Sequence, residues 1–399
     1  MVDIPALRQI LLSDTTLRDG EQMTGASLRP EQKVRVARAL ADAGINSIEA
    51  GFPACGASEV EAIRAIVSEV RGPVIMALCR ALSSDIDQAR EALEGANPFR
   101  CAVNIFLATS PLHREVKLRK SKQEILAMIA SAIEYARKSF RFVSFSPEDA
   151  SRTEVDFLCE VYSAAIGAGA NSVSFPDTVG ILTPEKTRTF LRRIQDGTPA
   201  LAKVPLAAHF HDDLGLATAN TLAAIEEGAR IVQCTVNGLG ERAGNASLEE
   251  VALTLSLHPD QYKCKHSVKL DHLSLLSRLV AEESGVPVSP NKSVVGSNAF
   301  TTEAGIHQDG LLKDPGTYLP FPPELVGAAG HSMVIGKHSG RAAIGLRLKE
   351  MGYDFSPSEV DLIAREIGES ASVKAADDRT LLLDAVEKVC GKPATHAHE

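Results

Sequence analysis

No part of this chain approaches the roughly 18 uninterrupted apolar residues that mark a membrane-spanning helix. Its opening residues, MVDIPALRQILLSDTT, lack the basic stretch and small-residue cleavage site of a secretory signal. Both absences exclude a membrane partner and point to the cytoplasm. Positive charge is also in deficit: 42 Lys and Arg against 51 Asp and Glu leave a formal charge of -9, unsuited to gripping a polyanion, so nucleic acid is not an expected partner. The seven cysteines (Cys55, Cys79, Cys101, Cys159, Cys234, Cys264 and Cys390) are odd in number, scattered and without CxxC spacing. That excludes a disulfide framework and a thiolate zinc site, and most are expected as small buried apolar residues. Low-complexity tracts are missing too.

What is present is a rhythm. Apolar, β-prone runs alternate with amphipathic helical stretches through the first two thirds of the 399 residues. The expected strands are 9–14, 46–52, 73–79, 100–108, 142–147, 171–176, 205–211 and 231–237. The expected helices are 30–43, 57–70, 83–94, 122–138, 153–168, 184–195, 218–228 and 247–257. Pro30 and Pro184 stand where a first-turn proline is tolerated, and Gly44, Gly95, Gly169 and Gly228 follow helices. Eight successive βα units predict an α/β fold, a (β/α)8 TIM barrel over 1–270, with its active site at the carboxyl ends of the strands. The polar clusters keep that register: SDTTLRDGEQ, EAGFPACG, CRA, SFSPEDASR, PDTVG, HFHDD and VNGLGERAGN each follow or end a strand. Residues 271–399 form a separate linker and subdomain region, mostly helical. There 285–300 reads as linker or extended chain, followed by helices near 340–350, 356–373 and 378–390 and a frayed end.

In AAHFHDDLGLATAN, His209 and His211 stand two apart after an apolar run. On a strand such residues share one face and can chelate a metal, whereas on a helix they diverge. Taken alone, the pair fits equally a core histidine beside a surface one. Asp14, Arg18, Asp19 and Glu21 crowd the first strand end, where a carboxylate can complete a metal site and Arg18 can meet a developing oxyanion; an ion-paired loop is the alternative. Asn245 offers a neutral oxygen donor in the eighth loop, with Glu241 and Arg242 nearby to orient it. Two histidines, a carboxylate and an amide suit a divalent cation, Mg2+, Mn2+, Co2+ or Zn2+, acting as a Lewis acid on a carbonyl beside a carboxylate.

DTTLRDGEQ, EAGFP, SPEDASR, PDTVG, HFHDDLGLA, NGLGERAGN and GIHQDG occur in this order. Together they resemble the acyltransferase branch of the DRE-TIM metallolyase family, which holds 2-isopropylmalate synthases and homocitrate synthases. The resemblance implies a TIM barrel followed by small subdomains, a homodimer, and condensation of acetyl-CoA with a 2-oxo acid. Carried over by position, Asp19, His209, His211 and Asn245 hold the metal, and Arg18 binds substrate and stabilises the enolate or alkoxide oxygen. Glu148 orients the arginine or the metal's water, and Thr178 holds the 2-oxo acid's carboxylate. His307 and Tyr318 supply acid-base groups, reaching the partner subunit's active site. Read without the resemblance, His307 after Ile306 is a core histidine. One departure stands out: Thr302 occupies a position where family members commonly carry histidine.

ATSPLHREVKLRKS, SFSPEDASRT and SPNKSVVGSNAF resemble 2-isopropylmalate synthases, which implies 2-oxoisovalerate as substrate and a place in leucine biosynthesis. HFHDD, VNGLGERAGN and TEAGIH suit homocitrate synthases using 2-oxoglutarate as well, and citramalate synthesis from pyruvate is a further alternative. Arg80 either meets a distal substrate carboxylate or pairs with Asp85 or Asp87. A lyase or aldolase on the same barrel is the rival reaction class, and the His307 to Tyr318 segment argues for the condensing branch. Feedback through a leucine-binding regulatory domain is not expected.

Overall fold

The computed structural model describes residues 7–370 and 378–391. Eight parallel strands close into a barrel: β1 (Leu11–Asp14), β2 (Ser47–Gly51), β3 (Val74–Arg80), β4 (Cys101–Ala108), β5 (Phe142–Glu148), β6 (Ser172–Asp177), β7 (Leu206–Phe210) and β8 (Ile231–Cys234). β8 returns to pair with β1, Leu11 opposite Ile231 and Asp14 opposite Cys234. A helix follows each strand: α1 (Pro30–Asp42), α2 (Ala57–Glu69), α3 (Ser83–Ala92), α4 (Lys122–Arg137), α5 (Val155–Gly167), α6 (Pro184–Gly197), α7 (Ala217–Glu226) and α8 (Leu248–Leu257). The expected (β/α)8 architecture is therefore what the chain forms.

Local chemistry explains the punctuation. Ser121 starts α4 with a capping box: its hydroxyl accepts from the Glu124 amide at 3.2 Å while its own amide donates to the Glu124 carboxylate at 2.8 Å. Thr183 caps α6, whose first residue is Pro184. Strands of a barrel bury both faces, so β4 is buried almost throughout although Asn104 interrupts its apolar run.

Two strand ends differ from expectation. The run 9–14 is divided between partners, because the Ile10 amide donates to Lys265 and the Leu11 amide to Arg230. Arg8–Gln9 accordingly pairs with Cys264–Lys265 outside the barrel, and the barrel strand begins at Leu11. The run 231–237 ends at Cys234, where the chain turns through Val236–Gly238 with Asn237 at φ 61°.

The described chain divides after Val288 into two compact units. The first also holds a helix over Leu273–Ser284, not expected from the sequence, whose buried Leu273, Leu276 and Val280 recur at helical spacing. In the second, 285–300 continues as turns without helix or strand from 289 onward. Thr301–Thr302 pairs with Ser332–Met333, and a further unexpected helix spans Gly305–Lys313. Helices Arg341–Glu350, Pro357–Ser370 and Asp378–Cys390 enclose a core that includes Ile344, Leu348, Ile363, Ile367, Leu382 and Val386. Positions 371–373 of the helix expected over 356–373, and the end expected to fray, lie outside the described residues. Among the described residues all seven cysteines are free, and no helix is long and apolar enough to cross a membrane.

Candidate active site

A cavity of about 220 Å3 opens at the carboxyl ends of the barrel strands. Its lining follows the period of a β-strand. Asn104 and Phe106, Ser146 and Glu148, Pro176 and Thr178, and His209 and His211 are each two apart, so each strand or strand end turns a pair inward. Leu78 and Phe52 add apolar wall, while Arg18, Asp19, Gln22 and Glu241 come from the first and eighth loops.

The two histidines face one another, Nε2 to Nε2 at 3.2 Å, and Asp19 Oδ2 lies 3.5 Å from His209 and 3.8 Å from His211. These three residues, all buried, are the set of His, Cys, Asp and Glu among the described residues whose ligand atoms converge as a metal site requires. Burial, and then His211, push the His209 imidazole down to about 3; burial also lowers His211. Both rings are therefore neutral near pH 7 and have lone pairs to offer. Burial opposes charge on Asp19, but Arg18, the two histidines and Asn245 outweigh it and hold the carboxyl below its usual range.

Asn245 joins this set by backbone and side chain. It bridges His211 across an isolated antiparallel pair, and its Nδ2 donates to Asp19 Oδ1 at 2.9 Å. Its Oδ1 is buried with no partner, an orphaned acceptor beside a carboxylate and two imidazoles. Gly240 gives it room: a Cβ there would lie 2.0 Å from Asn245 Nδ2. Neutral imidazoles, an ionised carboxylate and a free amide oxygen are the donors a divalent cation takes, so these residues fit one.

Arg18 and Asp19 are presented by a tight turn in which the amides of Arg18, Asp19 and Gly20 all donate to the Thr15 carbonyl. Arg18 donates from Nη1 to Asp19 and from Nε to Glu49, each at 2.6 Å. Burial disfavours its charge, yet Glu49 and Asp19 more than compensate, so the guanidinium stays protonated. Glu49 is itself fully buried and accepts from Asn104 at 2.9 Å; Ser146 donates to Asn104 at 3.2 Å and approaches Ser174. Thus Glu49, rather than Glu148, orients the arginine. Glu148 lines the cavity but is held by Lys117 at 2.7 and 2.9 Å, with His113 Nδ1 at 3.6 Å. Thr178 accepts from the Asp149 amide at 2.9 Å, which leaves its hydroxyl proton to donate.

Other sequence candidates lie elsewhere. Arg80 is outside the cavity lining, its guanidinium donating to Asp85 at 2.7 and 3.0 Å. His307 and Tyr318 belong to the second unit, where their rings stack with centroids 4.1 Å apart. Thr302 uses its carbonyl to accept from the buried Gln308. Glu49, Asn104 and Ser146 escaped the sequence reading although Glu49 opens the EAGFP motif; period-two positions on β2, β4 and β5 were the available signal.

The HMGL-like family model matches residues 9–280, and a model described as homocitrate synthase post-HMGL domain-like matches 294–375. A 2-isopropylmalate synthase of Heliobacterium modesticaldum is 47% identical over 353 residues, 88% of this chain and 69% of that protein. One from Pyrococcus furiosus is 47% identical over 367 residues, 92% of this chain and 73% of that protein. Among solved structures, hydroxymethylglutaryl-CoA lyase from Pseudomonas aeruginosa has a TM-score of 0.59 at 23% identity, covering 71% of this chain and 96% of its own, a likeness of fold.

Proposed function

This chain belongs to the HMGL-like family, and from that premise we propose that it condenses acetyl-CoA with 2-oxoisovalerate to give 2-isopropylmalate and free thiol. The observation that carries the reading is the convergence of Asp19, His209 and His211 beside Arg18 in a cavity whose remaining wall combines Phe52, Leu78, Phe106 and Pro176 with neutral or acidic polar side chains. Asp19, His209, His211 and Asn245 would hold a divalent cation, which would supply Lewis-acid polarisation of the oxo acid's ketone. Arg18, kept cationic by Glu49 and Asp19, faces the oxygen on which negative charge develops. The Thr178 hydroxyl donates to the substrate carboxylate, and Glu148 orders water for thioester cleavage. Removal of a methyl proton from acetyl-CoA, attack on the ketone carbon and hydrolysis complete the reaction. His307 and Tyr318 serve as acid-base groups, and the stacking of their rings supports a joint role. The enzyme acts as a cytoplasmic homodimer in which these two complete the partner's site.

Substrate choice follows from charge. Arg18 is the one arginine or lysine in the lining; Phe52, Leu78, Phe106 and Pro176 supply its apolar wall, and Gln22, Asn104, Ser146, Thr178, Glu148 and Glu241 add neutral or acidic groups. An isopropyl group is compatible with such a wall, whereas the distal carboxylate of 2-oxoglutarate would be desolvated without a cation. The synthases span the chain past the barrel, which favours condensation over the lyase reaction. Thiol release from acetyl-CoA with Mg2+ or Mn2+, across 2-oxoisovalerate, 2-oxoglutarate, pyruvate and oxaloacetate, tests this. Release with 2-oxoisovalerate is expected; release with 2-oxoglutarate alone would contradict the pocket argument, and release with none would contradict the condensing reaction.

A further inference from the structure

A second buried charge cluster grips the loop that presents Arg18 and Asp19. Lys33 on α1 is fully buried, and its ammonium has three acceptors for its three protons: the Leu17 carbonyl at 3.1 Å, Glu21 Oε2 at 2.6 Å and Glu59 Oε1 at 2.5 Å. The remaining carboxylate oxygens are also used. Glu21 accepts from the Leu28 amide at 2.9 Å, and Glu59 from the Phe52 amide at 3.0 Å. One ammonium thereby joins the loop after β1, the end of β2 and helix α2. Gly51 belongs to the arrangement, because a Cβ there would sit 2.2 Å from Glu59 Oε2. Only glycine lets that carboxylate reach both the Phe52 amide and Lys33.

None of the three charged residues lines the cavity, and a buried ion cluster is weak evidence for stability, since apolar or neutral replacements of the whole set are often tolerated. What the cluster does control is position. Leu17 directly precedes Arg18, Glu21 follows Asp19 by two residues, and Phe52 is cavity wall. We propose that Lys33 is a positioning residue for the reaction: through the Leu17 carbonyl and Glu21 it fixes the Arg18–Asp19 pair from outside the barrel, as Glu49 does from within. The proposal rests on Asp19 as a metal ligand.

The test is Mn2+ binding by calorimetry, with thermal unfolding and kcat measured on the same proteins. The neutral triple variant Lys33→Met/Glu21→Gln/Glu59→Gln is expected to fold, bind Mn2+ about 10-fold more weakly and lose about 10- to 100-fold in kcat. A purely structural cluster would shift the unfolding temperature and leave the Mn2+ Kd alone, so a folded triple variant with wild-type Mn2+ affinity overturns the proposal. Should the triple variant not fold, Glu21→Gln decides in its place: weaker Mn2+ binding supports the proposal, and wild-type binding overturns it. Asp19→Ala calibrates the premise. If it binds Mn2+ like the wild type, the metal reading fails by itself, and positioning is judged on kcat: a fall in the variant supports it, and a wild-type value overturns it.

Discussion

Two cavities open at opposite ends of one barrel. At the amino ends of the strands lies the larger, about 700 Å3, lined by Leu11, Pro199, Leu201, Val204 and Leu206 with Lys203 and Arg230 at its exposed edge. At the carboxyl ends lies one of about 220 Å3, into which Asp19, His209 and His211 bring buried ionisable groups. Volume ranks the two one way and chemistry the other. Desolvating a charge is costly unless something specific repays it, so the buried ionisable groups, and not the space, mark the functional end.

The comparison breaks first at Asp19. Asp19→Ala removes a proposed metal ligand and one of Arg18's two carboxylates, and is expected to lower kcat/KM for thiol release by about 10^3-fold or more, the equivalent of several kcal/mol. Glu49→Gln keeps the ligands but frees the other side of Arg18; a loss of about 10^2-fold in kcat is expected, with unfolding temperature near that of the wild type, read from parallel kinetics and melting curves.

A smaller effect concerns acid. An unfolded histidine protonates near 6.5, whereas the native His209 ring stays neutral down to about 3. Between those values the unfolded state binds the extra proton, so stability falls as pH drops through this window. Metal-free wild-type protein should therefore lose stability relative to His209→Gln on acidification from pH 7 to 4, measured by urea unfolding; a constant difference would contradict the buried neutral ring. Smallest of all should be Lys203→Ala and Arg230→Ala at the other end, which are expected to leave kcat unchanged and to alter stability by at most about 0.5 kcal/mol. A large loss of activity there would erase the contrast between the two ends.

The barrel was legible because its signal repeats. Alternating strand and helix periods recur eight times, and proline, serine and threonine mark where α1, α4 and α6 begin. The partner switch between Ile10 and Leu11 was not legible, since backbone pairing with Lys265 and with Arg230 leaves the same apolar pattern. Helix Leu273–Ser284 has its apolar spacing in plain view, but the strand before it, Cys264–Lys265, is only two residues long and does not announce a βα unit. In the site, the HxH pair on β7 and its end, together with the loop residues Asp19 and Asn245, could be placed at one rim by the strand rule alone. Lys33 could not, and for Glu49 strand position gave a face but no partner. A glutamate inside a strand and a lysine in an amphipathic helix read as ordinary solvated residues, and only across-barrel geometry reveals Glu49 against Arg18 and Lys33 among Leu17, Glu21 and Glu59.

The most direct measurement strips wild-type protein and His209→Ala of metal, then titrates Mn2+ back while following thiol release from acetyl-CoA and 2-oxoisovalerate. The wild type should be silent without metal and recover with it, and the variant should stay silent throughout. Undiminished thiol release by the metal-free variant would contradict the site at the carboxyl ends of the barrel.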